Sequence, residues 1–301
     1  MNHAAGITLV EVLVAMLIVL VVTSGALALV ARGLSAQRSG ESLARIEESL
    51  DAAFVILVDE VRAAGYLGLA PPASAVAGAT SVGSAELAGL AVAGSCGPSL
   101  AHDVAVSVSG ANGAWLAAPE VPIACRPSPN GRQRPGSDTL ILRSARAEPS
   151  QPAAGRLQVE SNLRAAALRA DGIARLGAGS RWHDLEVGVY YISADSTGRS
   201  GFPSLRRKRL VGGARPAFQD EELVTGVSDL QIAFGVDDIA DPDEIVDRWI
   251  APGNPADGGR LRAVRIELEA VTDINDVSLP ARARSKRVTR IVELRNGGTA
   301  S

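Results

Sequence analysis

Residues 7–31, ITLVEVLVAMLIVLVVTSGALALVA, carry a single charge, Glu11. As a helix, Val12 to Ala31 would extend about 30 Å, the thickness of a bilayer's hydrocarbon core. A segment apolar on every side cannot lie on the surface of an ordinary soluble domain, so this run constrains the fold more than any other feature. Two readings follow from the residues alone. One is a cleaved secretory signal, for which Ala26-Leu27-Ala28 supplies a small-x-small site. Against it, the leader MNHAAG has no Lys or Arg, and the apolar run is longer than a signal core. The other is a membrane anchor. A carboxylate at mid-bilayer costs about 2.5–3.5 kcal/mol, and less near an interface, which is where Glu11 would sit.

A short polar leader ending in Gly6, then Ile7-Thr8-Leu9-Val10-Glu11, then the apolar run, resembles the class III signal of type IV prepilins. The resemblance implies cleavage between Gly6 and Ile7, N-methylation of Ile7, and an assembly role for Glu11, which becomes the fifth residue of the mature chain. It also implies a cytoplasmic leader. The leader's only basic groups are His3 and the amino terminus. Arg32 and Arg38 lie beyond the run, so a count of positive residues orients the segment the opposite way.

Helical periodicity continues past Arg32. Leu43, Ile46, Leu50, Phe54, Leu57 and Val61 recur at spacings of three and four, with Glu41, Arg45, Glu48 and Asp59 between them. This predicts an amphipathic half that packs on the rest of the protein and stops at Gly65. Gly25, Gly33 and Gly40 are expected weak points. A Pro/Ala/Gly/Ser-rich stretch from Ala70 to about Ser95 reads as loop. Strands are expected at Val104–Ser109, Thr139–Ser144, Glu186–Ser193, Leu230–Val236, Leu261–Val271 and Arg287–Leu294. In the fifth of these, Val264, Ile266 and Leu268 alternate with Arg265, Glu267 and Glu269, so one face is wet. Leu157–Ala170 is ambiguous between helix and strand. The expected class is α+β: a long N-terminal helix packed on an antiparallel β-sheet head. The divisions are a leader (1–6), an apolar half-helix (7–31), an amphipathic half-helix (32–65) and a β-rich head (66–301).

The segments DEVRAAGYLG, RPGSDTLILRSA, VSDLQIAFGVDD, DRWI, LRAVRIELE and RVTRIVELRN follow one another in an order that resembles the PilW-like minor pilins of type IV pili. Leu69 stands where a cysteine is expected after GYLG, so that family's disulfide pattern does not carry over. The chain has two cysteines, Cys96 and Cys125. If the head is exported to an oxidising compartment, a bridge between them is the natural reading. It would close a loop worth roughly 3–4 kcal/mol in the chain-entropy view.

The remaining clusters favour plain structural readings. Asp237, Asp238, Asp241, Asp243, Glu244 and Asp247 concentrate carboxylates after a strand. The first four make a weak calcium candidate, but EF-hand spacing is absent and a solvated acidic loop fits better. LRRKRL (205–210) and Arg282, Arg284, Lys286 and Arg287 read as solvated strand edges, with DNA contact the sharper alternative. The net charge of −3 supplies no strong field for nucleic acid. His3, His102 and His183 are isolated, and no nucleophile elbow, P-loop or dinucleotide fingerprint is present. No catalytic residue, cofactor, small-molecule substrate or metal is assigned, and the reading is non-enzymatic.

The resemblance implies a single-pass inner-membrane subunit with a cytoplasmic N-terminus and a periplasmic head, later part of the pilus at the cell surface. Its expected partners are the prepilin peptidase, other minor pilins, the major pilin and a large tip adhesin. The work would be priming pilus assembly in support of adhesion, twitching motility or DNA uptake. A minor pseudopilin of type II secretion and a non-polymerising, membrane-anchored periplasmic binding domain are the rival readings.

Overall fold

The computed structural model describes residues 8–69, 76–78, 92–94, 100–115, 125, 127, 132–238, 243–253, 259–272 and 284–296. Among the described residues there is one helix, α1 (Leu9–Ala63, 55 residues), which extends about 80 Å. Thr8 caps it in extended conformation, and Arg62 places a cation in its last turn. The chain leaves helical geometry at Ala64, and Gly65 adopts φ +80°. A Cβ at Gly65 would come 2.5 Å from the Asn296 carbonyl oxygen, so the stop requires glycine for both conformation and space. Gly25, Gly33 and Gly40 do not interrupt α1. Each costs about 1 kcal/mol of helix propensity, but they are spread along the helix and its hydrogen bonding runs through them.

The expected stripe is buried at Ile46, Leu50, Phe54, Leu57 and Val61, and Ala53 joins it. Leu43 is not part of it: the buried position is Ser42, and Leu43, one residue further round the helix, is 43% exposed.

Twelve strands are described: β1 (Val76–Ala77), β2 (Val108–Ala111), β3 (Thr139–Ala145), β4 (Ala154–Ser161), β5 (Ala166–Asp171), β6 (Arg181–Ser193), β7 (Ser204–Val211), β8 (Ala217–Thr225), β9 (Val227–Asp237), β10 (Arg248–Ile250), β11 (Arg260–Val271) and β12 (Ser285–Glu293). They form two sheets. The larger has the order β1-β5-β4-β6-β3-β2, with β7 on β6 and β8 on β7; the smaller has the order β10-β9-β11-β12. All pairings between named strands are antiparallel except β1 with β5. That short parallel strand lies inside the stretch read as loop, and the rest of 70–95 is mostly outside the described residues.

The expected strands at 139–144, 186–193, 230–236, 261–271 and 287–294 are present, most of them longer than expected. At 104–109 only the end is strand, because residues 100–107 are held in turns. Leu157–Ala170 is a hairpin: Asn162 Oδ1 accepts hydrogen bonds from the Arg164 and Ala165 N–H groups and folds the chain back. The segment 205–210 is no edge. It is β7, flanked by β6 and β8.

One core joins the layers. Ile46, Phe54, Leu57 and Val61 of α1 meet Leu140 and Leu142 of β3, Tyr190 and Ile192 of β6, Leu230 and Phe234 of β9, and Val264, Ile266 and Leu268 of β11. Alternation places Ile141 and Val189 on the opposite face of the large sheet, in a smaller cluster with Leu100, Trp115 and Phe218. The two sheets are linked where the Asp138 N–H donates to the Leu230 carbonyl and the Ile232 N–H donates to Asp138 Oδ2, both at 2.8 Å.

Phe54 is fully buried and also lies under the Arg290 guanidinium. Phe54→Ala should destabilise the head by about 3–5 kcal/mol. Val55→Ala, at an exposed neighbouring position, should be nearly neutral. Denaturant unfolding of the two variants measures both.

Candidate functional site

The first half of α1 touches nothing else in the described chain. Leu9, Val10, Leu13, Met16 to Val22, Leu27, Leu29 and Val30 are all well exposed, up to 77% at Leu9. This helix is long and apolar enough to cross a membrane. So large an apolar surface marks contact with lipid or with other apolar chains. Its few hydroxyls are satisfied internally: Thr23 Oγ1 donates to the Val19 carbonyl at 2.7 Å and Ser24 Oγ to the Val21 carbonyl at 2.9 Å.

Glu11 sits at the open end of this surface, in a capping box. Its Oε2 accepts from the Thr8 N–H at 2.9 Å and from Thr8 Oγ1 at 3.1 Å. In return the Glu11 N–H donates to Thr8 Oγ1 at 3.3 Å. The carboxylate thus occupies the end of the helix where the backbone dipole favours negative charge. From there an apolar face runs through Val12, Ala15, Met16, Val19 and Leu20 to Thr23. In the sequence Glu11 is the lone charge of the apolar run, and its spacing from Thr8 is also a Thr-x-x-Glu capping signature. Gly6 and Ile7 lie outside the described residues.

The second half of α1 is fastened to the head by ion pairs around the apolar stripe. Arg207 Nη1 on β7 lies 2.6 Å from Glu60, and Arg207 Nη2 lies 2.6 Å from Glu221 on β8. Burial pushes the Glu60 carboxyl above its usual range, against the pull of Arg207. Further out, Lys286 and Arg290 of β12 reach Glu47 and Asp51 at 2.7 and 3.0 Å. These outer pairs are exposed and contribute little individually.

The basic run on β7 is not solvated. Arg206 and Lys208 are each 6% exposed. They face Asp220 and Glu222 of β8, with Arg206 2.7 Å from Asp220 and 2.8 Å from Glu222. Tyr191 of β6 donates to Asp220 at 2.5 Å. An acidic ladder therefore neutralises the basic one, and no basic patch is left there for DNA. Strand β12 fits the solvated-edge reading, although Lys286 and Arg287 are ion-paired and Arg282 lies outside the described residues.

The acidic cluster is also not a wholly solvated loop. Asp237 is buried at the end of β9, where the Arg262 Nε and Nη2 groups reach it at 2.9 and 2.8 Å. Asp238 pairs with Arg248 at 2.9 Å, and Asp243 accepts a turn hydrogen bond from the Ile245 N–H. Asp241 is outside the described residues. Among the described residues no three His, Cys, Asp or Glu side chains are placed to hold a metal ion. His183 is a core residue, edge-on to Tyr66, with Nδ1 2.8 Å from the Arg146 carbonyl. Cys125 is fully buried and is not a free thiol; Cys96 lies outside the described residues.

Two family models match the chain. Residues 189–280, from β6 through β11, match Type IV Pilus-assembly protein W (PilW). Residues 1–27 match the prokaryotic N-terminal methylation motif. No curated protein and no solved structure matches significantly. The chain is therefore similar to a PilW-like type IV pilin at both its helix and its head.

The junction yields a prediction with a pH sign. A carboxyl whose folded pKa is raised favours folding when protonated, and that contribution is lost as pH rises through the folded value. Glu60→Gln should therefore be as stable as the wild type or slightly more so at pH 7, with the two converging near pH 4. Arg207→Met strands Glu60 and leaves Glu221 only its longer contact with Arg209 at 3.5 Å, and should cost about 2–3 kcal/mol at pH 7 for these partly exposed groups, less as pH falls toward 4. Thermal unfolding across this range checks both.

Proposed function

We propose that the chain is a minor pilin: a non-catalytic subunit processed after Gly6, methylated at Ile7, and assembled through its apolar half-helix into a type IV pilus tip or priming complex. The observation that carries this reading is the pairing of a methylation-type N-terminus with a fully exposed apolar half-helix, on a head that matches PilW. Before assembly the half-helix is in the inner membrane, with the head on the periplasmic side. Within the complex the same surface is covered by the helices of other minor pilins and the major pilin. A large adhesin at the tip is the proposed further partner, and adhesion, twitching motility and DNA uptake are the processes such a complex serves.

Glu11 is the proposed assembly residue. Cleavage makes the Ile7 amine a cation close to the membrane edge. Inside a bundle of apolar helices a carboxylate without a cation is strongly disfavoured, so Glu11 meets the amine of a neighbouring subunit and fixes register. Thr8 supports this role by capping the helix from its own side chain, which leaves α1 intact when Glu11 changes partner. In the head, Cys96 and Cys125 form the proposed bridge; both are to be recovered as one disulfide-linked peptide pair from exported protein.

Intact mass of membrane-extracted protein should show a chain beginning at Ile7 with one added methyl group. A chain beginning at Leu29 would establish ordinary signal cleavage and remove the proposal. Glu11→Ala should leave processing and head stability unchanged while reducing co-purification with partner pilins and lowering surface pilus counts. Wild-type recovery of both would mean that Glu11 only caps its own helix.

A further inference from the structure

Between the apolar run and the first residue buried against the head lies a segment of helix with no tertiary support. It runs from Arg32 to Glu41, RGLSAQRSGE, about 16 Å of rise between Ala31 and Ser42. A side chain placed on Gly33 or Gly40 would meet nothing within 4 Å, and almost every residue here is exposed. Arg32 and Arg38 are its only cations. Among the described residues neither makes an ion pair, whereas most arginines of the head do. Arg32 has Ala28, Leu29, Ser35 and Ala36 at helical neighbour positions, with no carboxylate among them. Arg38 has Glu41 three residues on, but that carboxylate accepts the Gln37 amide at 3.1 Å.

The placement of these two side chains is specific. If Val12–Ala31 fills the hydrocarbon core, Arg32 stands at its outer boundary and Arg38 about 9 Å above it. The headgroup layer is about 5–8 Å thick on each side, so the pair brackets it. At 100° per residue the two point roughly 120° apart, toward different sides of the helix. Arginine stems pack along apolar surface while the guanidinium reaches outward, and the planar fork matches phosphate oxygens. Charge counting makes these cations unfavourable on the translocated side, so their retention there calls for a local partner.

We propose that Arg32 and Arg38 form a collar that binds lipid phosphates of the outer leaflet of the crossed membrane, fixing the depth of the helix and holding the head about 16 Å above the hydrocarbon. This rests on the membrane-spanning reading above. The phosphate contacts set how far the helix is immersed; the apolar run only requires that it be immersed. Without them, the uncharged stretch extends to Glu41, and the helix is free to sink until the head meets the surface.

The test is hydrogen exchange, followed by mass spectrometry, on the full chain in phosphatidylethanolamine–phosphatidylglycerol nanodiscs. In the wild type, amides of Leu13–Val30 should be protected and those of Gly33–Gly40 should exchange readily, since nothing but helix hydrogen bonding shields them. In Arg32→Gln/Arg38→Gln, exchange across Gly33–Gly40 should slow severalfold as the segment enters the bilayer. Arg32→Lys/Arg38→Lys, which keeps the charge but not the fork, should lie between the wild type and the Gln variant. Head amides should be unchanged in all three, since both positions are exposed and remote from the core. Unaltered exchange at Gly33–Gly40 in the Gln variant, with Leu13–Val30 still protected, would overturn the collar while leaving the spanning helix intact. Rapid exchange at Leu13–Val30 in the wild type would overturn the spanning reading and the collar together.

Discussion

A single continuous helix has to satisfy two environments, and the rest of the structure follows from that demand. From Ile46 to Val61 one stripe of α1 fills the space between two sheets, and without it both lose the floor on which Leu140, Tyr190, Leu230 and Val264 pack. From Leu9 to Leu34 the same helix buries nothing in its own chain. Backbone hydrogen bonds are satisfied within a helix whatever surrounds it, which is why this element, and not a strand, can run from a protein core into an apolar medium. The ends are handled differently. Thr8 and Glu11 close the N-terminus with their own side chains, whereas Gly65 closes the other end with help from the head, its N–H donating to the Arg143 carbonyl.

The helix is held to the head by both apolar burial and charge, and the two do different work. Burial of the stripe supplies the larger part of the free energy. The Glu60–Arg207–Glu221 set, placed where the helix meets β7 and β8, contributes less but discriminates register, because a shift of the helix by one residue would take the partly buried Glu60 carboxylate away from Arg207, which stays paired with Glu221. Arg207 belongs to a ladder in which Arg206, Arg207 and Lys208 face Glu222, Glu221 and Asp220 across two strands. Neighbouring residues of that ladder point to opposite sides of the sheet. One side therefore ties the helix down and the other packs with Tyr191.

Where sequence reading succeeded, one residue-level period dominated. The stripe of α1, the alternation of β11 and the glycine stop at Gly65 each follow from a local rule with little competition. It failed where the partner was distant or the pattern mixed. LRRKRL by itself has the composition of a wet edge; together with QDEEL, a GGARP turn away, it is a hairpin signal of two oppositely charged runs. Asp237 looked like part of an acidic loop because its partner, Arg262, lies on another strand. Leu43 fits a spacing of three from Ile46, but Ser42 at a spacing of four occupies the packed position, and apolar character alone does not bury a side chain. At the N-terminal end, Glu11 stands out in the sequence as the lone charge of the apolar run. Its hydrogen bonds to Thr8 required the same residues to be read as a helix cap.

The head packs without the apolar half of α1, whose surface is left for an environment outside the chain. The most direct test of this division compares the full chain with a form beginning at Arg32, by near-ultraviolet circular dichroism, thermal unfolding and sedimentation. The shortened form should be a soluble monomer with the head's aromatic signature and an unchanged unfolding temperature, while the full chain should require detergent or lipid to stay dispersed. A shortened form that unfolds, or a full chain that stays monomeric in plain buffer, would contradict the account.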